Sequence, residues 1–467
     1  MKAKDLNQLG IPHGPAMTAA YEVLERARAA GVAITDLREK IRAVALAPEA
    51  HLADKLFGAL AEALRGRTRA FVPRAAPAPY SVFGVDIDGD TLGQMGHAAA
   101  LPVAVCGALM PDAHRGYGLP IGGVLATEGA VIPYAVGMDI ACRMKLSVLD
   151  LPVTALATER PRLREALERE TRFGVGASFA RRREHAVMDD DWSVSPVTQR
   201  LKDKAWAQLG TSGSGNHFVE LGELTVLGEV LGLAPGTYLA LLSHSGSRGT
   251  GGEVATHYSR LARELHPELP KELGQLAWLD LESEAGAEYW AAMELMGRYA
   301  AANHALIHRH VREALGVELR ADVENHHNFA WREVHVTPDG QRRAVVVHRK
   351  GATPAGDGVL GVIPGSMGTP GYVVRGRGEP SSLCSASHGA GRAMSRTRAK
   401  ELFTWEQARA FLAAHHVELL SAGLDEVPMA YKDIDQVMAA QSTLVEKVAR
   451  FEPRLVKMAR GDERPED

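Results

Sequence analysis

The apolar positions of this chain follow two rhythms, and the change between them falls near residue 73. "PAMTAAYEVLERARAAG" repeats apolar residues at intervals of three and four, with Pro15 near its start and Gly31 at its end. That spacing and those end residues predict a helix. "HLADKLFGALAEALRG" carries the same rhythm and predicts a second. "PRAAPAPY", Pro73 to Tyr80, reads as an extended linker. Beyond it, between Gly84 and Val148, short β-branched runs are cut by glycine and proline, as in "GAVIPYAVGMDIACRMKLSVLD". These predict strands with tight connections.

Residues 155–205 read as mostly helical and charged, with "RRREH" and "MDDDW" forming a solvated loop. "YLALLSHSGSRG" predicts a strand entering a glycine-rich turn, and Glu284 to about Val317 a long helix. "RRAVVVHRKGATPA" and "GVLGVIPGSMGTPGYVV" read as strands with loops. "TWEQARAFLAAHHVELLSAG" and "DIDQVMAAQSTLVEKVARF" read as helices. Helices and strands mix without a regular alternation, so the expected class is α+β. Residues 1–72 would be a helical extension, 73–80 a Pro/Ala linker and 81–467 one large domain with a polar end, "GDERPED".

Composition narrows the function classes. A net charge of -4 over 467 residues excludes a coat of basic surface but leaves room for a local basic channel. Cys106, Cys142 and Cys384 are too few, and odd in number, for a disulfide framework, so a reducing, cytoplasmic setting is expected. The N-terminus lacks the apolar core of a signal peptide, and no apolar run is long enough to span a bilayer.

The metal-capable residues stand where apolar runs meet glycine or polar turns. They are Asp139 and Cys142 in "GMDIACRM", Asn216, His217 and Glu220 in "SGSGNHFVEL", His244 in "LLSHSGSRG", and His326 and His327 in "ENHHNFAW". A carboxylate, a thiolate and imidazoles suit a transition metal, and a cysteine sulfur can bridge two. Each residue alone is equally a packing or hydrogen-bonding residue. "HALIH" puts His304 and His308 one turn apart but lacks a metalloprotease glutamate, so it reads as an exposed helix face, as do His415 and His416. Neither "GTSGSG" nor "GTGG" continues into a Lys-Ser or Lys-Thr phosphate loop.

"LCSASHGAGRAMSR" packs small residues around His388 and Arg392. A serine nucleophile on an elbow wants G-x-S-x-G, and "SASHGAG" fails that template. A histidine nucleophile needs a neutral imidazole and phosphate-binding groups nearby. The backbone of Gly389, Ala390 and Gly391, with Arg392 and Arg396, can offer those groups. A plain glycine turn before a helix fits the same letters.

Taken together, "MPDAHRGYGLPIGGV", "GMDIACRM", "LGTSGSGNHFVE", "SHSGSRG", "HHNFA", "HRKGATPA", "PGSMGT", "SHGAGRAMSR" and "AYKDIDQV", in this order, resemble the RtcB family of RNA-splicing ligases. The resemblance runs from about Asp86 to Gly461 and implies a single RtcB-type domain. It implies joining of a 2′,3′-cyclic-phosphate or 3′-phosphate RNA end to a 5′-hydroxyl end, with GTP and Mn2+. The nucleophile would be His388, which becomes guanylylated. Asp139, Cys142 and His217 would hold one of two ions and Cys142, His244 and His327 the other. Nucleotide contacts would come from Asn216, Glu220, Asn328, the turn Pro364, Gly365, Ser366 and Met367, and the backbone of Gly389, Ala390 and Gly391. Arg248, Arg392 and Arg396 would meet RNA phosphates. Two positions depart from the family. Gly371 stands where a serine is usual, and Arg460 aligns with a lysine that contacts guanine. A 3′-phosphate guanylyltransferase that caps ends, or a repair enzyme for one cleaved RNA, is the alternative. A monomer is expected, and the need for an activating protein stays open.

Overall fold

The structure is a computed structural model and describes every residue except His13, Ala30, 66–70 and 462–467, so most of the polar C-terminal end lies outside the described residues. The chain divides into two compact units, Met1–Val72 with Arg260–Ala277, and Pro73–Ser259 with Trp278–Asp467. The first therefore takes in a segment that the change of rhythm at residue 73 did not announce. Its helices span Ala3–Gln8, Pro15–Ala29, Ile34–Leu46 and Gly58–Leu64. Ala16, Ala20, Val23 and Ala27 fall on one face of the second helix, and Leu37, Ile41 and Val44 on one face of the third. With Leu6, Ile11, Phe57, Leu60 and Leu64 they build an apolar core. The second predicted helix is shorter than its pattern, because Pro48–His51 is a 3-10 turn and the α-helix starts only at Gly58.

The second unit is α+β and holds two large sheets. Five strands run in the order Tyr80–Val82, Ala104–His114, Ile121–Thr127, Arg342–Lys350, Phe329–Val336. The eight-stranded sheet runs Leu360–Ile363, Gly371–Gly376, Val445–Met458, Phe218–Val226, Gly236–Ser245, Arg143–Leu149, Leu319–His326, with Glu418–Ser421 also pairing on Val445–Met458. Side-chain alternation splits the larger sheet into two faces. Leu239 and Leu241 pack with Leu163, Leu167, Ile307, Val311 and Leu315. Ala240 and Leu242 face the other way, with Met144, Leu146, Val373 and Phe451. The long helix is Glu284–Leu315, capped by the Ser283 side chain at one end and by Gly316 in the left-handed region at the other.

Two further expectations change. "DIDQVMAAQSTLVEKVARF" is helical only over Ile434–Ala440, and the rest belongs to the 14-residue strand Val445–Met458. The helix over "TWEQARAFLAAHHVELLSAG" stops at Ala414. His416 then turns into the left-handed region, and Glu418–Ser421 joins the sheet. "PRAAPAPY" has no helix or strand before Tyr80, and hydrogen bonds hold it in place. The Arg74 guanidinium donates to the carbonyl of Ala104, and the Ala78 N–H donates to that of Ala99.

Arg349 ties the five-stranded sheet to the segment before His388. Its guanidinium pairs with both oxygens of Glu333 (2.6 and 3.0 Å) and donates to Ser385 Oγ and the Leu383 carbonyl. Arg349→Met leaves the Glu333 carboxylate without its main partner and is expected to cost about 3 kcal/mol, read as a lower Tm. Burial pushes the Glu333 carboxyl up, but His335 and Arg349 outweigh it and hold it below its ordinary value. The stabilisation is therefore complete at neutral pH and lost as pH falls through that depressed value. The Tm gap between variant and parent should close in acid; a gap independent of pH counts against this account.

Candidate active site

Four neighbouring strands of the larger sheet bring the metal-capable residues to one edge. Cys142 immediately precedes Arg143–Leu149, and His217 immediately precedes Phe218–Val226. His244 lies at the end of Gly236–Ser245, and His327 directly follows Leu319–His326. Because these strands pair antiparallel, two starts and two ends meet. The turns are bonded to one another. The His327 N–H donates to the Cys142 carbonyl, and the Ala141 N–H donates to that of Asn328 (2.8 Å). Ala141 and Asn328 both adopt left-handed backbone (φ 56°).

All five predicted ligands are buried and form two triads that share Cys142: Asp139, Cys142 and His217, and Cys142, His244 and His327. Cys142 Sγ lies 3.3 Å from His217 Nε2 and 3.0 Å from His244 Nε2. His217 Nε2 lies 3.1 Å from Asp139 Oδ2, and His244 Nε2 lies 3.2 Å from His327 Nε2. The Nδ1 of His244 meets the Asn216 carbonyl at 3.1 Å, and a carbonyl only accepts, so Nδ1 carries the proton. Burial pushes this imidazole down to about 3, so it is neutral. His244 Nε2 thus turns a lone pair toward Cys142 and His327 with no proton of its own to share. A nitrogen and sulfur set arranged this way fits a borderline divalent ion. Burial pushes Asp139 up, yet His217, Cys142 and Arg248 outweigh it and keep the carboxyl low.

Ser247 donates to Asp139 Oδ1 from its N–H (2.9 Å) and its hydroxyl (3.3 Å). The neighbouring Gly246 packs its Cα against the same carboxylate, where a Cβ would lie 2.0 Å from Oδ2. Gly246→Ala must therefore swing Asp139 away and is expected to weaken divalent-ion affinity about 10- to 100-fold, measured by calorimetric titration. An unchanged affinity would show that Asp139 is not held by this contact.

His388 follows the short strand Ser385–Ser387 and is 14% exposed. Its Nδ1 donates to Asp112 Oδ2 (2.7 Å), and its backbone N–H donates to the same oxygen (3.2 Å). The tautomer follows from the partner: Nε2 holds the free electron pair. Its ring centroid is 4.8 Å from that of His327. Asp112 lies in an irregular stretch of Ala104–His114, where the register with the next strand shifts. Lys432 Nζ fixes that stretch by donating to the carbonyls of Pro111 and Ala113. Gly391 (φ 72°) approaches so closely that a Cβ would lie 2.3 Å from the Asp112 carbonyl oxygen. Asp112 in "MPDAHRGYGLPIGGV" and Lys432 in "AYKDIDQV" are functional positions absent from the sequence-based expectations. A carboxylate standing between an apolar run and a glycine turn was the available signal.

Around this centre, Asn328 Oδ1 accepts from the Gly351 N–H (2.8 Å). Asn216 is half-buried, and burial alone raises the buried Glu220 well above the carboxylate range. In the Pro364–Met367 turn the Ser366 N–H donates to Thr369 Oγ1, and Met367 is buried beside Leu412. Gly389 lies against Pro364, so this turn and the "HGAG" backbone adjoin. A Cβ on Gly371 would stand 3.2 Å from Pro364 Cα, so a serine there would press on the turn. Arg460 is exposed, past the end of Val445–Met458.

The three arginines expected to meet RNA phosphates all hold protein partners. Arg248 is buried, with Nε on Thr211 Oγ1 (2.9 Å) and Nη2 on the Gly174 carbonyl (3.0 Å). Arg396 begins a helix, Arg396–Leu402, whereas Arg392 precedes it and pairs with Tyr431, so they do not share a helical face. Both reach Glu426, and Arg396 also reaches Asp425. A phosphate arriving here competes with two buried carboxylates. His304 and His308 are not an exposed face. Both are buried and hydrogen-bonded, because their helix is covered on several sides. His415 and His416 are exposed.

Among the described residues no helix is long and apolar enough to cross a membrane. The family profile described as "tRNA-splicing ligase RtcB" matches residues 94–459. RNA-splicing ligase RtcB of Escherichia coli K12 is 35% identical over 408 residues, covering 80% of this chain and 95% of that protein. RNA-splicing ligase RtcB of Mycobacterium tuberculosis is 34% identical over 429 residues, covering 77% and 98%. The tRNA-splicing ligase RtcB of Thermococcus kodakarensis is 31% identical over 433 residues, covering 78% and 90%. With the motifs in order along the chain and nearly the full length of these relatives matched, the chain belongs to the RtcB family.

Proposed function

We propose that this protein is an RNA ligase that joins 2′,3′-cyclic-phosphate or 3′-phosphate ends to 5′-hydroxyl ends, with GTP as cosubstrate and two Mn2+ ions. His388 Nε2 attacks the α-phosphate of GTP, forming a P–N bond and releasing pyrophosphate. A 2′,3′-cyclic end first takes up water to give the 3′-phosphate; the GMP then passes to that phosphate as the P–N bond breaks, giving RNA(3′)pp(5′)G, and the 5′-hydroxyl attacks the RNA phosphate, forming the phosphodiester and displacing GMP. The observation that carries this reading is the bond from His388 Nδ1 to the buried Asp112, which leaves Nε2 as the electron-pair donor beside the metal-capable cluster. Held by Asp139, Cys142 and His217 and by Cys142, His244 and His327, the ions would relieve the charge that builds on phosphoryl oxygens.

Asn216, Glu220, Asn328, the Pro364–Met367 turn, the Gly389–Gly391 backbone and Arg460 are assigned to the nucleotide. Burial raises the Glu220 carboxyl well above its ordinary value, which favours the protonated form that can donate as well as accept. Arg248, Arg392 and Arg396 are assigned to RNA phosphates, and at Arg392 and Arg396 the RNA end exchanges for Asp425 and Glu426. Cysteines that form no disulfide suit a reducing cytoplasm. We take the protein as a monomer, with residues 1–72 as an extension.

The test is incubation with α-labelled GTP and Mn2+. An acid-labile adduct should form and vanish in His388→Ala; label on the variant, or none on the parent, overturns the mechanism. ATP in the same assay tests base preference, on which Gly371 and Arg460 bear. Capping without joining is the second reading, favoured by those two departures. A ligation assay with 3′-phosphate and 5′-hydroxyl ends separates the two, and its turnover number shows whether an activating protein is required.

A further inference from the structure

Two adjacent side chains on the long helix grip the turn that faces the metal-capable cluster. Asn303 Nδ2 donates to the Gly246 carbonyl (2.9 Å), while its Oδ1 accepts from the Gly210 N–H (2.8 Å). His304 Nε2 meets the Ser245 carbonyl at 3.1 Å. That turn touches three of the five candidate ligands. It follows His244 directly, the Ser245 carbonyl lies 3.4 Å from Cys142 Sγ, and Gly246 and Ser247 pack on and bond to Asp139.

Behind His304 the hydrogen bonds run in one direction. A carbonyl only accepts, so His304 Nε2 carries the proton. Burial keeps both His304 and His308 neutral at ordinary pH. His304 Nδ1 therefore accepts from the Ser243 hydroxyl (2.8 Å), whose single proton is then committed. Ser243 Oγ in turn must accept from His308 Nε2 (2.8 Å), and His308 Nδ1 accepts from the Ser147 hydroxyl (2.8 Å). All four groups are buried, and every member of this relay is satisfied. Ser147 and Ser243 lie on the strands that carry Cys142 and His244. The relay thus locks the imidazole whose N–H holds the turn.

We propose that His304, oriented by Ser243, His308 and Ser147, is a positioning residue that sets the Ser245–Ser247 turn and through it the geometry of Asp139, Cys142 and His244 for the divalent ion. This rests on the metal-dependent reading above. The required atom is the donor at the Nε2 position. A glutamine amide reaches that position, and an asparagine amide reaches only the Nδ1 position.

The experiment titrates the full-length metal-free protein with Co2+ and follows the sulfur-to-cobalt charge-transfer absorption, so no ligase activity is read. His304→Gln should bind within about threefold of the parent, while His304→Asn should bind at least about 10-fold more weakly, with a shifted band. Both variants are polar, and thermal melts of the metal-free forms confirm folding. Equal affinities for parent, Gln and Asn variants overturn the proposal, as does equal loss in both. If the parent shows no charge-transfer band, or Cys142→Ala keeps it, the metal reading itself fails, and that outcome differs from failure of His304 alone.

Discussion

Asp112→Asn is expected to slow GMP transfer to His388 about 10^3- to 10^4-fold, the scale seen when a histidine is held in the wrong tautomer. In the parent, Asp112 accepts from Nδ1, so Nε2 offers its lone pair. An asparagine amide can donate to Nδ1 instead, which moves the ring proton onto Nε2 and removes the nucleophile while leaving shape and burial almost unchanged. The readout is the rate of label incorporation from α-labelled GTP, with a thermal melt to confirm the fold. Labelling at the parental rate would show that Asp112 does not set the tautomer. Asp112→Ala, which cannot impose the wrong tautomer, should be impaired no more than the asparagine variant.

Cys142→Ala should have an equally large effect by another route. Cys142 is common to both triads, so its loss removes a ligand from each. Metal content measured by mass spectrometry should fall from two ions per chain to none, since two triads are present in the parent. Asp139→Ala breaks only one triad and should keep the ion at Cys142, His244 and His327. Equal and small losses in the two variants would rule out sulfur as the bridge.

The metal-capable set was legible because each of its residues ends or begins an apolar run, and such junctions are where strands deliver side chains to one end of a sheet. Their convergence was not, since it depends on which strands pair. Val445–Met458 shows a different obstacle. Its partner register shifts at Val373/Val374 and again at Pro453/Leu455, so each irregularity resets the inside-outside phase. Charges at Glu446, Lys447, Arg450 and Arg454 then fall at spacings that imitate a helix. His304 and His308 were misplaced for the converse reason. The helix Glu284–Leu315 buries Tyr289, Met293, Met296, Tyr299 and Ile307, so two polar residues a turn apart do not mark its outer side. Asp112 escaped notice because one carboxylate in an apolar run has no spacing to read. Only the fold supplies its partner, 276 positions away.

The placement of Val445–Met458 also bears on how the chain comes into being on the ribosome. This strand lies between Gly371–Gly376 and Phe218–Val226, yet it is the last of the eight to be synthesised. Until residue 458 leaves the exit tunnel, the growing sheet has two open edges where neighbouring strands await it. The half-made domain must wait with its backbone donors and acceptors exposed, a state prone to aggregation. Completion of the larger sheet therefore waits for residues 445–458, and chains stalled short of residue 445 keep those two edges open.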